Sequence, residues 1–300
     1  MMRNRKRIII QVAGNAILVM TLTLLCLIVY NKSFPVNEPI NSNMSQTHEA
    51  EKKISPDIRP TDTPKKEEIE RVPYDSKLLA CSDDVYYGVY YFNNKKYYSN
   101  NKSKKTPSAS VLKLFVMQYI YTEKFDLKEE VNGRTIRDLV EDMIQNSDNE
   151  VTNILIDRFG MKKINKFIKD FGYKDTVLAR KMISYSEKKI SVKNFTSLDD
   201  VMLFLKTLYE KRKEKPYAEM LVIMKGQSDK TKIPLYLPKN TVVANKTGEQ
   251  NVVENDVGIV FTKKGNCIIA VLTNNVEDTD NTRMEIGKFA KNVIKHMPKK

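Results

Sequence analysis

Pro107-Ser-Ala-Ser110-Val-Leu-Lys113 opens an apolar stretch that runs from Val111 to Tyr121, and how these residues are read decides the rest of the chain. The pattern predicts a helix over 108–124 with Ser110 in its first turn. Spacing i,i+3 then places Ser110 and Lys113 on one helical face, within contact distance. The first turn also offers unpaired backbone N–H groups and the positive end of the helix dipole, both of which favour an oxyanion. A lysine whose charge is disfavoured by burial or by a neighbouring cation can act as the base that activates a serine. Alone, the match is common: Ser99–Lys102 and Ser186–Lys189 repeat it in polar surroundings. A helix-capping serine followed by a surface lysine would look the same.

Two further triplets lie downstream. Ser147-Asp148-Asn149 separates two helical segments, Arg137–Gln145 and Val151–Phe159. All three residue types favour helix caps. Lys246-Thr247-Gly248 ends an apolar strand, where a glycine also suits an exit into a turn. Around them, 85–92 and 97–98 flank a short Asn/Lys turn and read as a hairpin. Helices are expected at 134–146, 149–159, 162–171, 197–213 and 280–296, and strands at 241–246, 256–262 and 267–273. Strands at both ends of the domain with helices between them imply one sheet built from both ends, packed against a helical subdomain.

Composition narrows the chemistry. The 300 residues include two histidines, His48 and His296, and neither is placed to serve a Ser-His-Asp or Cys-His site. Three cysteines, Cys26, Cys81 and Cys267, give neither a paired framework nor metal-ligand spacing, so no metal and no cofactor are expected. The formal charge of +14 is scattered among acidic residues without a basic helix. It fits a solvated basic surface, or an anionic cell-wall polymer or headgroup as neighbour, and it carries no nucleic-acid motif.

The order Ser-x-x-Lys, Ser-Asp-Asn, Lys-Thr-Gly, each in its expected element, resembles class A β-lactamases and penicillin-binding proteins. The likeness extends through Met143–Asn153, Asn194–Asp200, Lys232–Pro234, Leu237-Pro238, Val242–Glu249 and Asp256–Val260. It implies an α/β (α+β) fold of the β-lactamase/DD-peptidase type: an antiparallel sheet formed from both ends of the domain, packed against helices, with a helical subdomain. It also implies roles. Ser110 is the nucleophile, Lys113 its proton acceptor, and Ser147 the donor to the departing nitrogen. Asn149 positions Lys113 and the substrate's acyl side chain. Lys246 tunes Ser147 and, with Thr247 and Gly248, forms the strand that holds a substrate carboxylate, that of a β-lactam acid or a D-Ala-D-Ala-like peptide. Backbone N–H groups of Ser110 and Glu249 form the oxyanion hole. One feature of class A β-lactamases is missing: no Glu-x-x-Leu-Asn follows Leu178-Ala-Arg180, where a water-activating glutamate is expected. Glu187, in a Ser-Glu-Lys-Lys setting, is the glutamate left to replace it. Three functions follow: a β-lactamase with slow deacylation, a penicillin-binding DD-peptidase of the wall, and a β-lactam-binding sensor without turnover.

The N-terminal quarter is of another kind. Residues 1–7 form a basic tail, and Ile8–Tyr30 is an uncharged run of 23 residues, long enough to span a bilayer as a helix. The basic flank predicts that this tail stays in the cytoplasm and everything after it lies outside, a single-pass signal anchor in the cell membrane. The run is longer than the apolar region of a cleaved signal peptide and lacks a small-residue cleavage site. Residues 31–75 are polar and read as a disordered tether, with 76–300 the β-lactamase-like domain.

Overall fold

A computed structural model of the chain describes residues 70–183 and 192–298. Its centre is a five-stranded antiparallel sheet in the order β2-β1-β9-β8-β7. The strands are β1 (Asp84–Tyr91), β2 (Tyr97–Ser99), β7 (Val242–Gln250), β8 (Val253–Thr262) and β9 (Gly265–Asn274). β1 pairs along its whole length with β9, from Asp84 opposite Asn274 to Tyr91 opposite Cys267, so the two ends of the domain share one sheet as expected. Small strand pairs join β3 (Thr106–Pro107) to β6 (Phe195–Thr196) and β4 (Glu130–Val131) to β5 (Arg134–Thr135).

Side chains alternate across a strand, and here both faces are covered. Val85, Tyr87, Val89, Val243, Val260, Ile269 and Val271 pack with α1 (Ser76–Leu79) and α8 (Thr279–Lys295) through Leu78, Ile286 and Phe289. Tyr86, Ala244, Val257, Ile259, Ile268, Ala270 and Leu272 face the opposite way, toward the helical subdomain. Burial on both sides is why these strands read as nearly continuous apolar runs.

The subdomain comprises α2 (Lys113–Thr122), α3 (Ile136–Gln145), α4 (Asn149–Phe159), α5 (Met161–Phe171), α6 (Leu198–Glu210) and α7 (Lys215–Lys225). In α2 every residue from Lys113 to Tyr121 is buried. A helix apolar on all sides belongs in the middle of a fold, and this one carries a lysine into the middle with it. Thr135, Asp148 and Ser197 cap α3, α4 and α6, each accepting a hydrogen bond from the backbone N–H three residues on.

Four expectations need correction. Residues 70–75, assigned above to the tether, belong to the fold: Glu70 pairs with Tyr98, Val72 is buried, and Asp75 accepts from Tyr87 Oη at 2.6 Å and from Arg71. The helix α7 was not expected, although Pro216 in its first turn suits a helix start. The stretch around Ser110 begins as a 3₁₀ turn (Ala109–Leu112) before α2 takes over. Lys246-Thr247-Gly248 lies inside β7, which continues to Gln250, and not at a strand exit. The anchor 8–30, the tether up to residue 69 and Glu187 lie outside the described residues. Among the described residues no helix is long and apolar enough to cross a membrane.

Candidate active site

The three motifs meet at one point. Lys113, at the head of α2, has no solvent exposure, and its Nζ bonds to Ser147 O at 2.5 Å and Asn149 Oδ1 at 2.8 Å, with Ser147 Oγ at 3.3 Å. Lys246, equally buried on β7, donates to Ser147 Oγ at 2.9 Å and to Thr247 O at 2.8 Å. Ser147 thus stands between two lysines. Asp148 caps α4 through its side chain, so the capping reading of Ser-Asp-Asn holds, while Ser147 and Asn149 stand against Lys113. The cap fixes the helix start and turns the residues on either side of it toward Lys113.

Burial sets the charge of these amines. Desolvation pushes Lys113 down to about 6, with the Lys246 charge adding to the shift and Asp148 opposing it. Burial likewise brings Lys246 to about 7, opposed by Asp256 and helped by Lys232. Near neutral pH Lys113 is therefore largely a free amine able to take a proton.

Ser110 lies one helical turn before Lys113 and lines a surface cleft together with Asn149, Met182, Ile183, Asn194 and Glu249. The backbone around it is held in less common conformations: Ala109 has φ 44° and Ser147 φ 58°. Left-handed φ at a non-glycine residue costs on the order of 1–3 kcal/mol and persists where surrounding contacts enforce it. Gly248 shows how tight those contacts are. A Cβ there would stand 2.9 Å from Ser108 O and 3.1 Å from Val111 N, so β7 lies directly against the turn that carries Ser110.

Sequence reasoning missed residues that hold this turn in place. Asn255 on β8, fully buried, donates from Nδ2 to Pro107 O at 3.1 Å and Ser108 O at 3.2 Å, while its Oδ1 accepts from Thr273 N at 2.8 Å. Asn194 accepts from Ala179 N and Arg180 N on Oδ1, and its backbone oxygen accepts from Ser108 N. Asn153 does the same for the loop beyond, accepting from Met182 N at 2.8 Å and donating to Met182 O at 3.0 Å. No local signal marks Asn255, which stands between Glu254 and Asp256 and bonds to backbone atoms far along the chain. Ser99, from the second Ser-x-x-Lys match, is a buried residue of β2. Cys81 and Cys267 are free thiols.

Beyond Lys246 lies a second charged cluster. Lys232, without solvent exposure, contacts Glu249, Glu254 at 3.1 Å and Asp229 at 3.6 Å. Burial works against its charge, but Glu254, Asp256 and Glu249 more than offset this and raise its pKa. Arg283 reaches Glu254 at 2.8 Å and Glu249 at 3.6 Å.

Comparison with known proteins agrees with this arrangement. No curated protein matches the chain. Among solved structures it is similar to a β-lactamase from Sphaerobacter thermophilus, at 24% identity and TM-score 0.67, covering 75% of this chain and 96% of that one. A β-lactamase from Chitinophaga pinensis gives 18% identity and TM-score 0.65 over 73% and 95% of the two chains. A protein named PBP-A gives 18% and 0.63 over 76% and 98%. These likenesses establish the fold. The model of the β-lactamase enzyme family matches residues 74–297, and the chain belongs to that family of serine hydrolases.

Proposed function

We propose that the protein is an extracytoplasmic, membrane-anchored acyl-transfer hydrolase that opens β-lactam amides through an acyl-Ser110 intermediate and releases the product slowly. The observation that carries this reading is the environment of Lys113: fully buried, held by Asn149, and depressed to about 6. In the proposed reaction Lys113 takes the Ser110 proton as Oγ attacks the carbonyl. The backbone N–H groups of Ser110 and Glu249 receive the oxyanion. Ser147, between Lys246 and Lys113, returns a proton to the departing nitrogen.

A wall DD-peptidase acting on a D-Ala-D-Ala-like peptide is the second reading. It is favoured by the loop that faces Ser110, which presents Met182 and Ile183 to the cleft. Among the described residues the loop facing Ser110 carries no carboxylate to activate water, so in either reading the acyl-Ser110 intermediate persists. The helix expected over 8–30 would hold the domain at the membrane, and the basic surface would face anionic wall polymer.

The test is stopped-flow mixing of full-length protein with a chromogenic β-lactam, followed by peptide mapping. About one equivalent should be released in a burst before a slow phase, with the label on Ser110. A steady rate without a burst would overturn slow release. Recovery of uncleaved full-length protein in the soluble fraction without detergent would overturn the anchor.

A further inference from the structure

On the side of the sheet away from the helical subdomain, α1 and α8 leave a groove of about 490 Å³ between them. Tyr74, Leu78 and Phe289 close its floor, and Tyr74 is stacked on His296 with ring centroids 4.9 Å apart. Its rim is cationic. Lys288, Lys291 and Lys295 recur at intervals of three and four, which puts them on one side of α8. Lys77 of α1 stands in the facing wall. All four are exposed. Lys288 is bonded to Glu285 at 2.7 Å, whereas Lys77, Lys291 and Lys295 have no carboxylate within ion-pair distance among the described residues. Asp75 is engaged by Arg71 and Tyr87. Glu277, Asp278 and Asp280 stand at the opposite end of α8, roughly 16 Å or more along the axis from Lys291, beyond the ~8 Å over which salt lets exposed charges act. Lysines near a helix C-terminus also suit its dipole, but that does not call for another on the facing wall.

We infer that this groove is a binding site for a linear polyanion whose backbone carries phosphate groups. The rim lysines are point charges, which take a phosphate in any orientation without the planar match that a guanidinium gives a carboxylate. From Lys288 to Lys295 the row runs roughly 10 Å, long enough to meet successive charges on one chain. A thread can enter a groove between two helices, whereas a flat bilayer surface would touch only its rim. The Ser110 cleft is lined by Asn149, Met182 and Glu249, none of which borders the groove, so occupying one leaves the other open. The site is independent of the acyl-Ser110 reading, and it gives the basic surface a definite point of attachment to a wall polymer.

The experiment uses full-length protein in neutral detergent and an end-labelled linear polyphosphate, with binding read by fluorescence anisotropy. Three phosphate contacts give a salt slope of about −2, so native affinity should fall roughly twentyfold between about 50 and about 200 mM salt. Replacing Lys77, Lys291 and Lys295 together by glutamine should weaken binding at least about tenfold at the lower salt and flatten that slope. Replacing Lys128, Lys162 and Lys163 by glutamine removes the same charge from exposed positions on the helical subdomain and should change affinity by less than about twofold. In the native protein, polyphosphate should protect Lys77, Lys291 and Lys295 from acetylation, mapped by mass spectrometry, and leave Lys128, Lys162 and Lys163 open. Equal weakening in the two triple variants overturns the site, and so does protection spread over all six lysines. Competition by inorganic phosphate at equal phosphate concentration would reduce it to a site for single anions. Displacement by micelles doped with phosphatidylglycerol would assign it to a lipid surface. Either result overturns the polymer as its occupant.

Discussion

The two walls of the cleft are built differently. On one side, beside Ser110, Lys113, Ser147 and Lys246 form a bonded chain in which two buried amines are held far below their ordinary pKa. On the other, the loop from Arg180 to Ile183 is fastened by its backbone, through Asn153 and Asn149, and turns Met182 and Ile183 toward Ser110. The first wall is equipped to move protons. The second, among the described residues, holds the cleft's shape and offers water no base. In the proposed reaction, forming an acyl-serine and releasing it would therefore depend on different walls.

Substitutions can break that contrast to different degrees. Ser110→Ala should abolish covalent labelling by a β-lactam, a loss of at least about 10³-fold measured by mass spectrometry. Lys113→Met should slow acylation by about 10²–10⁴-fold in stopped flow, yet raise the melting temperature. Replacing a buried ionisable group by an apolar one of similar volume is often neutral or stabilising, by about 1–4 kcal/mol. The sign has a pH signature. The folded pKa of Lys113 is about 6 against an ordinary 10.5, so the unfolded chain binds the extra proton in that window. Native stability relative to Lys113→Met should thus rise as pH rises from 6 toward 10.5.

Met182→Glu tests the other wall. A carboxylate placed there should shorten the acyl-enzyme lifetime by about tenfold in single-turnover decay, whereas Glu187→Gln should change neither phase. An unaltered lifetime in Met182→Glu would show that the loop's composition is not what limits release. The smallest effect concerns charge on the first wall. Acylation should rise with pH through about 6 as Lys113 loses its proton. Because the Lys246 charge helps depress Lys113, Lys246→Met should move that limb to higher pH in a rate–pH profile.

Most of the first wall was legible in sequence, because Ser110, Lys113, Ser147, Asn149 and Lys246 fall in three short motifs whose order resembles that of a known family. The supports were not. Asn255 bonds to Pro107 O across 148 positions, and no local pattern reports a side chain whose partner is a distant backbone atom. Lys232 and Arg283 were hidden for a related reason: among 51 basic residues, nothing local marks the few that the fold carries inward or pairs. The helix α7 was missed because its Met220–Met224 run is apolar without helical alternation, while the strands were found because long unbroken apolar runs suit a sheet covered on both faces.

The pairing of β1 with β9 has a consequence for how the molecule comes into being. Asp84 finds its partner only when Asn274 has been made, so the first hairpin, complete at Ser99, waits with an open edge while the chain from 100 to 274 is synthesised. Contacts so distant along the chain close slowly. A nascent or truncated polypeptide that already contains Ser110, Lys113 and Ser147 would still lack β7, β8 and β9, and with them Lys246 and the hold of Asn255 on the Ser110 turn. Reactivity toward an acyl donor should therefore appear late and all at once, which makes covalent labelling a reporter of completed folding as much as of chemistry.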